Sequence, residues 1–200
     1  MKISPLNSIS FKSIPLYNVK LKKQNSDGSC EELPATFSKL KCRDRKDKKL
    51  VKDIKDTWKG AEFTARICND FLNNGFRKED FYIIEGRNKK GEKEVYSIAE
   101  FFDFWNSIQF LQANPQNKTN GIKGAGEVML WGIGQEKKEP MHDCFTLIPT
   151  SESAGFYEHA GLKAENWGFS LKASQAKKFF KRIEDKYNFS LEYAGRRHRK

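Results

Sequence analysis

Hydrophobic and polar residues alternate along several short segments in the first half of the chain, as they do in strands with one buried face. Residues 16–23 and 35–42 alternate in this way, and the turn sequence NSDG lies between them. β-Forming residues are dense at 80–87, return at 94–102 after the loop sequence NKKGE, and recur at 106–115. The pattern therefore predicts an antiparallel sheet in the first half, with residues 16–23 as an edge strand.

Apolar residues at helical spacing predict helices between and after these strands. Leu50, Ile54 and Trp58 begin a stripe that continues every three or four residues to Leu72. Further elements are expected as helices at 126–138, 153–162 and 172–189 and as short strands at 143–149 and 167–171. This order predicts an α+β fold in which a single mixed, mostly antiparallel sheet is flanked by helices.

The composition suits one soluble domain. Two hundred residues, sixteen of them Phe, are enough for a sizeable core. We expect the domain at 15–194, a flexible leader at 1–14 and a basic tail at 195–200. No apolar run approaches the ~20 residues that a membrane helix requires, and the leader lacks the pattern of a signal peptide. The expected location is the cytoplasm, with no membrane partner.

The cysteines predict neither a disulfide framework nor a metal site. Cys30, Cys42, Cys68 and Cys144 lie far apart, and no two of them form a C-x-x-C pair. A structural zinc site needs clustered ligands, and a disulfide scaffold needs a denser set of cysteines. We therefore expect four reduced thiols and no metal.

The net charge of +11 is spread unevenly. Nine Lys or Arg residues stand against three Asp between Lys39 and Lys55, and the chain ends GRRHRK. Such runs can form a solvated helix face and a loose tail, can bind nucleic acid, or can serve an enzyme whose substrate carries phosphates. The charge by itself leaves these three interpretations open.

Three glycines precede the predicted helix at 126–138, in the stretch NGIKGAGEVML that begins at Asn120. Glycine tolerates the positive φ of a tight turn. It can also leave backbone amides accessible at a helix N-terminus, where an anion is favoured. The loop is neither a Walker A sequence nor a dinucleotide-binding fingerprint, because the required Lys-Ser/Thr pair and glycine spacing are absent. A tight connection and an anion site both remain possible interpretations.

The segment CFTLIPTSESAGFYEHAGLK, residues 144–163, resembles the last strand–helix unit of the GNAT superfamily of N-acyltransferases, which commonly reads FYEKLGF. The glycine stretch is similar to the family's pyrophosphate loop, Arg/Gln-x-x-Gly-x-Gly/Ala, with Gly124 and Gly126 at the two small positions. Gly121 stands where Arg or Gln is usual, which is a departure from the pattern. The resemblance is clear over residues 106–163, and from 35 to 105 it rests on element order.

The resemblance implies a GNAT-like fold and the transfer of an acyl group, most simply acetyl, from acyl-CoA to an amine. It implies that the diphosphate of acetyl-CoA is held by backbone amides of the loop, at Lys123, Gly124, Ala125, Gly126 and Glu127. It also implies that the pantetheine arm pairs with the backbone of the preceding strand, at Leu111, Gln112 and Ala113. Tyr157 stands where the family often places the acid that protonates the departing thiolate.

The resemblance leaves the general base and the acceptor undefined. The family often carries a carboxylate on the strand before the loop, but Ser107 stands at the nearest position here. Glu100, Asp103 and water are the remaining candidates for the base, and the acceptor can be a small molecule or a peptide. The alternative function is a catalytically silent GNAT-like basic protein that binds nucleic acid or the ribosome.

Overall fold

The computed structural model describes residues 13–73, 79–88, 91–138 and 143–194. The strands in these ranges are β1 (Ile14–Gln24), β2 (Cys30–Lys39), β3 (Glu79–Arg87), β4 (Lys93–Phe102), β5 (Ser107–Ala113), β6 (Ile122–Lys123), β7 (Phe145–Leu147), β8 (Lys163–Glu165), β9 (Gly168–Leu171) and β10 (Glu192–Tyr193). The helices are α1 (Arg45–Thr57), α2 (Thr64–Asn73), α3 (Gln116–Thr119), α4 (Ala125–Lys137), α5 (Ala154–His159) and α6 (Ala173–Tyr187).

The described residues include only part of the expected ends of the domain. Residues 1–12 of the expected leader and the expected tail at 195–200 lie outside the described residues. β1 begins at Ile14, so the last residue assigned to the leader already belongs to the sheet.

The strands form one sheet in the order β10-β1-β2-β3-β4-β5-β7-β9-β8, with β6 paired to β1. Each pair is antiparallel except β5 with β7, which is parallel. The prediction of an α+β fold with a mostly antiparallel mixed sheet flanked by helices is therefore confirmed. The prediction of an edge strand at 16–23 is wrong, because β10 and β6 pair with the side of β1 that faces away from β2.

The pairing of β5 is unequal on its two sides. β5 pairs with β4 along its whole length, but it pairs with β7 only at Ser107↔Thr146 and Ile108↔Leu147. In the described ranges, no strand lies against residues Gln109–Ala113 on the side that faces away from β4. We call this side the open edge of β5.

Helices cover both faces of the sheet. On one face, α4 and α6 enclose the larger core, which contains Trp131 and Phe37. On the other face, α1 and α2 enclose a second core, which contains Ile54 and Phe71. We call these the α4 face and the α2 face. Gly132 of α4 lies so close to the Phe37 ring that a Cβ atom would overlap it, so α4 rests directly on the sheet.

The apolar stripe that predicted a continuous helix from Leu50 to Leu72 is divided between α1 and α2. Asp44 caps α1 by accepting hydrogen bonds from two backbone amides, and the helix ends at Thr57. Gly60 then adopts a φ of +79°, which ends the helical path and which glycine reaches without strain. The continuous-helix prediction is wrong because the apolar spacing runs on across this turn.

All four cysteines are free thiols, two of them buried. Within the residues described, no group of three or more His, Cys, Asp or Glu side chains could hold a metal ion. Of the helices in the same ranges, none is long and apolar enough to cross a membrane.

Candidate functional site

The three glycines at the start of α4 have different structural roles. Gly121 adopts a φ of +69° and touches a backbone oxygen at the end of β1, and Gly124 adopts a φ of +96° against the ring of Tyr187. Gly126 has no positive φ, and a Cβ atom there would lie 2.8 Å from the tip of the Phe156 ring. Turn geometry therefore explains two of the glycines and leaves Gly126 to packing or to a ligand.

The backbone at the start of α4 carries unpaired amides. The helix begins at Ala125 rather than at 126, and Gly124 accepts the first hydrogen bond of the helix, at 2.9 Å. The amides of Ala125, Gly126 and Glu127 precede that bond and, within the described ranges, meet no backbone oxygen and no capping side chain. We call these three amides the anion seat, since unpaired N–H groups at a helix start favour negative charge. Lys123, which was also predicted to contribute its backbone, lies in β6 instead.

The Glu127 side chain is held by α6. Its carboxylate accepts hydrogen bonds from Lys186 Nζ at 2.8 and 3.0 Å and from the Tyr187 hydroxyl. Burial and this hydrogen bond raise the pKa of Tyr187, so its hydroxyl stays protonated and donates. Lys186 offsets the negative charge that Glu127 places near the anion seat, and the positive end of the helix dipole remains effective there.

Lysines on the sheet add positive charge beside the anion seat. Lys22 of β1 stands directly opposite Lys123 of β6, and Lys22 Nζ lies 5.9 Å from the centre of the Tyr187 ring. Like charges directly opposite each other in a strand pair are unfavourable, and an anion bound between them would relieve the repulsion. Neither Lys22 nor Lys186 was predicted from the sequence, because pairings across so many residues leave no local signal.

The anion seat lies beside the end of the open edge. Ser97 of β4 pairs with Ala113, the last residue of β5. The Ser97 hydroxyl also donates a hydrogen bond to the Ala125 carbonyl oxygen at 3.3 Å. One side chain of β4 thus joins the start of α4 to the strand whose edge is open.

Only part of the predicted pantetheine-binding backbone faces the open edge. The Asn114 amide donates to the Tyr96 carbonyl oxygen of β4 at 2.9 Å. Since successive strand residues point their N–H and C=O groups to alternate sides, Gln112 also faces β4, whereas Leu111 and Ala113 face the open edge. The Gln112 side-chain amide donates to the Ala113 carbonyl oxygen at 3.1 Å. Leu111 is therefore the residue that offers both backbone groups there.

Helix α5 places Tyr157 over the point where β5 and β7 meet. The Tyr157 ring lies 5.8 Å from the ring of Phe169, and Phe169 pairs with Leu147, the residue that closes the open edge. The neighbouring Phe156 touches Gly126 of the anion seat. A single short helix thus contacts Gly126 of the anion seat and Phe169, which pairs with Leu147.

The environment of Tyr157 suits a proton donor. The residue is 8% exposed, and burial raises the pKa of its hydroxyl although a hydrogen bond with Ser153 acts in the opposite direction. The phenol therefore stays protonated at neutral pH, so it can donate a proton and is not a base. His159 on the same helix is exposed to solvent.

The two carboxylates predicted as possible bases have different surroundings. Asp103 accepts from Lys137 Nζ, which also donates to Asp80 at 2.8 Å. This ion-paired cluster lies at the end of α4 that is remote from the anion seat. Glu100 is buried in β4, directly opposite Phe110 of β5, and is the better placed of the two.

We call the anion seat, the open edge and Tyr157 together the seam. A cavity of about 900 Å³ lies between β1, β2 and the end of α6. Two further cavities, of about 580 and 420 Å³, lie beside α1 and α3. None of these three is lined by a residue of the candidate site.

Comparisons of the chain with protein-family models, with curated proteins and with solved structures find no match. The resemblance to N-acyltransferases therefore stays a prediction from the sequence.

Proposed function

We propose that this chain is a GNAT-like N-acyltransferase that moves an acyl group, most simply acetyl, from acyl-CoA to an amine. The observation that carries the proposal is the contact between the anion seat and the end of the open edge. An unpaired strand edge offers hydrogen bonds to an extended amide chain, and an uncapped helix start offers them to a diphosphate. Acyl-CoA carries an amide-containing arm joined to a diphosphate, so its parts fit the seam in order.

The order of elements supports the same proposal. Two helices separate the β1–β2 hairpin from the meander of β3, β4 and β5, and α4 and α5 then flank β7. Outside its motifs, the resemblance to N-acyltransferases depends on this order of elements. β7 pairs with the last strand of the meander in parallel and only briefly, which leaves the open edge next to the glycine turn.

Each group of residues would have a separate role in the reaction. Acyl-CoA would supply the acyl group as a thioester, which an amine attacks at the carbonyl carbon. The anion seat, with Lys22 and Lys186 beside it, would hold the diphosphate. Leu111 would fix the arm by its backbone N–H and C=O groups. The Tyr157 hydroxyl would hold a proton for the departing sulfur, whose thiol form has a pKa near ~8.5.

One observation favours the alternative, a silent protein that binds nucleic acid. Lys49, Lys52 and Lys59 of the α1 region are exposed and, among the described residues, none of them forms an ion pair. A protein that binds nucleic acid through such lysines loses affinity steeply as salt rises. Binding of acetyl-CoA at moderate salt, without binding of duplex RNA, would favour the transferase.

Calorimetry with acetyl-CoA and with its two parts, 3′-phospho-ADP and pantetheine, tests the proposal. The Leu111→Pro variant removes an N–H that faces the open edge and leaves the bonds to β4 in place. We expect it to bind acetyl-CoA about tenfold more weakly, as for one lost hydrogen bond, and to bind 3′-phospho-ADP like the parent.

Leu111→Ala, which keeps the N–H, is the matched control and should bind both ligands like the parent. Equal affinity of the Leu111→Pro and Leu111→Ala variants for acetyl-CoA would show that the open edge is not used. No binding of acetyl-CoA to the parent would remove the transferase proposal.

A further inference from the structure

Two large apolar side chains stand in solvent where β5 and β7 stop pairing. Ile148 directly follows the last residue of β7 and is 81% exposed, and Trp167, in the turn between β8 and β9, is 87% exposed. Their backbones are neighbours, because a Cβ atom on Gly168, the residue after Trp167, would be only 3.2 Å from the Ile148 Cα. Neighbouring apolar side chains that are this exposed mark a surface that meets a partner.

Ile148 extends an apolar surface on the α2 face, and Trp167 lies in the turn next to it. Leu147 contributes to the core of the α4 face, so the alternation of a strand directs Ile148 to the α2 face. Phe110 of β5 lies on the same face, with its ring centre 5.2 Å from that of Phe63 at the start of α2. We call Phe63, Phe110, Ile148 and Trp167 the apolar shelf, which borders the closed end of the open edge.

Beyond the apolar shelf, the α2 face is basic. The Arg66 guanidinium of α2 lies 4.6 Å from the centre of the Phe110 ring, and Asp70 approaches it only to 4.0 Å. Lys52 and Lys55 follow on the exposed side of α1. A partner that spans this face therefore meets apolar contacts first and positive charge next.

The shape of this region differs from that of a small-molecule site. Sites for small ligands are concave and enclose most of the ligand, but none of the three cavities is lined by a residue of the apolar shelf. An extended polypeptide can lie across an open surface and place one side chain at each contact. The shelf and the lysines beyond it suit such a chain.

We infer that the acceptor amine belongs to a polypeptide, with an apolar residue next to the amine and acidic residues farther along. The inference rests on the proposed acyl transfer. The amine would reach the thioester at the closed end of the open edge. The adjacent apolar side chain would cover Ile148 and Trp167, and the acidic residues would face Arg66 and α1.

Rates of thiol release from acetyl-CoA, measured with four short lysine peptides as acceptors, test this inference. The peptides combine Leu or Ser beside the lysine with an acidic or a neutral flank, and spermidine and a small aromatic amine are included for comparison. We expect the Leu peptide with the acidic flank to have the highest kcat/KM. The Trp167→Ser variant should raise KM for the Leu peptides about 10-fold to 100-fold, as for a lost aromatic contact, without changing acetyl-CoA affinity.

Trp105→Ser is the matched control, because Trp105 is 65% exposed in the turn between β4 and β5 and its ring packs against Phe102, which is not part of the apolar shelf. It should leave KM unchanged for every peptide. A kcat/KM for spermidine or for the small aromatic amine above that of the peptides would overturn the inference. An unchanged KM in Trp167→Ser would overturn it as well. In either case, binding of acetyl-CoA would still support the transferase. If acetyl-CoA does not bind in calorimetry, the proposed function fails and the inference fails with it.

Discussion

The Gly126→Asp substitution separates the stability of α4 from the function proposed for its N-terminus. Gly126 is the second residue of the helix, and a side chain there meets only the tip of the Phe156 ring, 2.8 Å from the ideal Cβ position. That ring is partly buried and can move by a few tenths of an ångström. A carboxylate in the first turn also stabilises a helix by about 0.3–1 kcal/mol. We therefore expect the midpoint of thermal unfolding to change little.

The same carboxylate should strongly oppose a diphosphate. Two unit charges 4 Å apart repel by about 1 kcal/mol in water and by about 4 kcal/mol at an effective dielectric constant of 20. Gly126 itself is half-buried, so the lower part of this range applies, and a diphosphate carries two charges. An opposing free energy of about 2–4 kcal/mol lowers the affinity for acetyl-CoA about 30-fold to 1000-fold.

Calorimetry at a fixed moderate salt concentration measures this loss. Gly126→Asn is the matched control, since it adds nearly the same volume without the charge and should lose much less affinity. The comparison holds only if both variants unfold at the same midpoint temperature as the parent. If Gly126→Asp binds acetyl-CoA as tightly as Gly126→Asn, the diphosphate does not lie at the anion seat.

Three other outcomes follow from the packing. Tyr157→Phe should lower turnover about 10²-fold to 10⁴-fold while acetyl-CoA affinity stays the same, and equal turnover at every pH would exclude this hydroxyl as the acid. Gly132→Ala should destabilise the fold by about 1–2 kcal/mol in urea unfolding, because its Cβ would overlap Phe37. Gly155→Ala, with no atom within 4 Å of the added Cβ, should stabilise it by about 0.5–1 kcal/mol, and equal effects of the two would refute the packing argument. Burial raises the pKa of Tyr96 to about 12, so its contribution to stability is complete below pH ~10 and is lost as the pH rises towards that value. Urea midpoints measured against pH should fall less steeply in Tyr96→Phe than in the parent.

The sequence predicted the elements that carry their own local signal. The strand ending at Ala113, the glycine turn and α4 were expected in the right order, because strand and helix periods are visible within a few residues. Gly60 was overlooked as a helix stop, since the apolar spacing on its two sides happens to agree. The second helix therefore had to be found from the structure.

The parts that the sequence did not predict depend on distant partners. β6 and β10 are two-residue strands that exist because β1 pairs with them. Lys186 and Tyr187 reach Glu127 from 59 and 60 residues away, and no periodic pattern records such a contact. The same contact explains why Gly124 is needed, since the Tyr187 ring occupies the space of a side chain there.

The brief junction between β5 and β7 has a mechanical consequence. Among the described residues, β5 and β7 pair at only two positions, so the sheet has two parts, β10 to β5 and β7 to β8, with few hydrogen bonds between them. Helix α4 contacts β4 and β5 in one part and β7 in the other, and it keeps the two parts aligned. A molecule that bound between the two parts would add hydrogen bonds along the unpaired edge of β5. It would therefore slow the exchange of amide hydrogens in both parts at once.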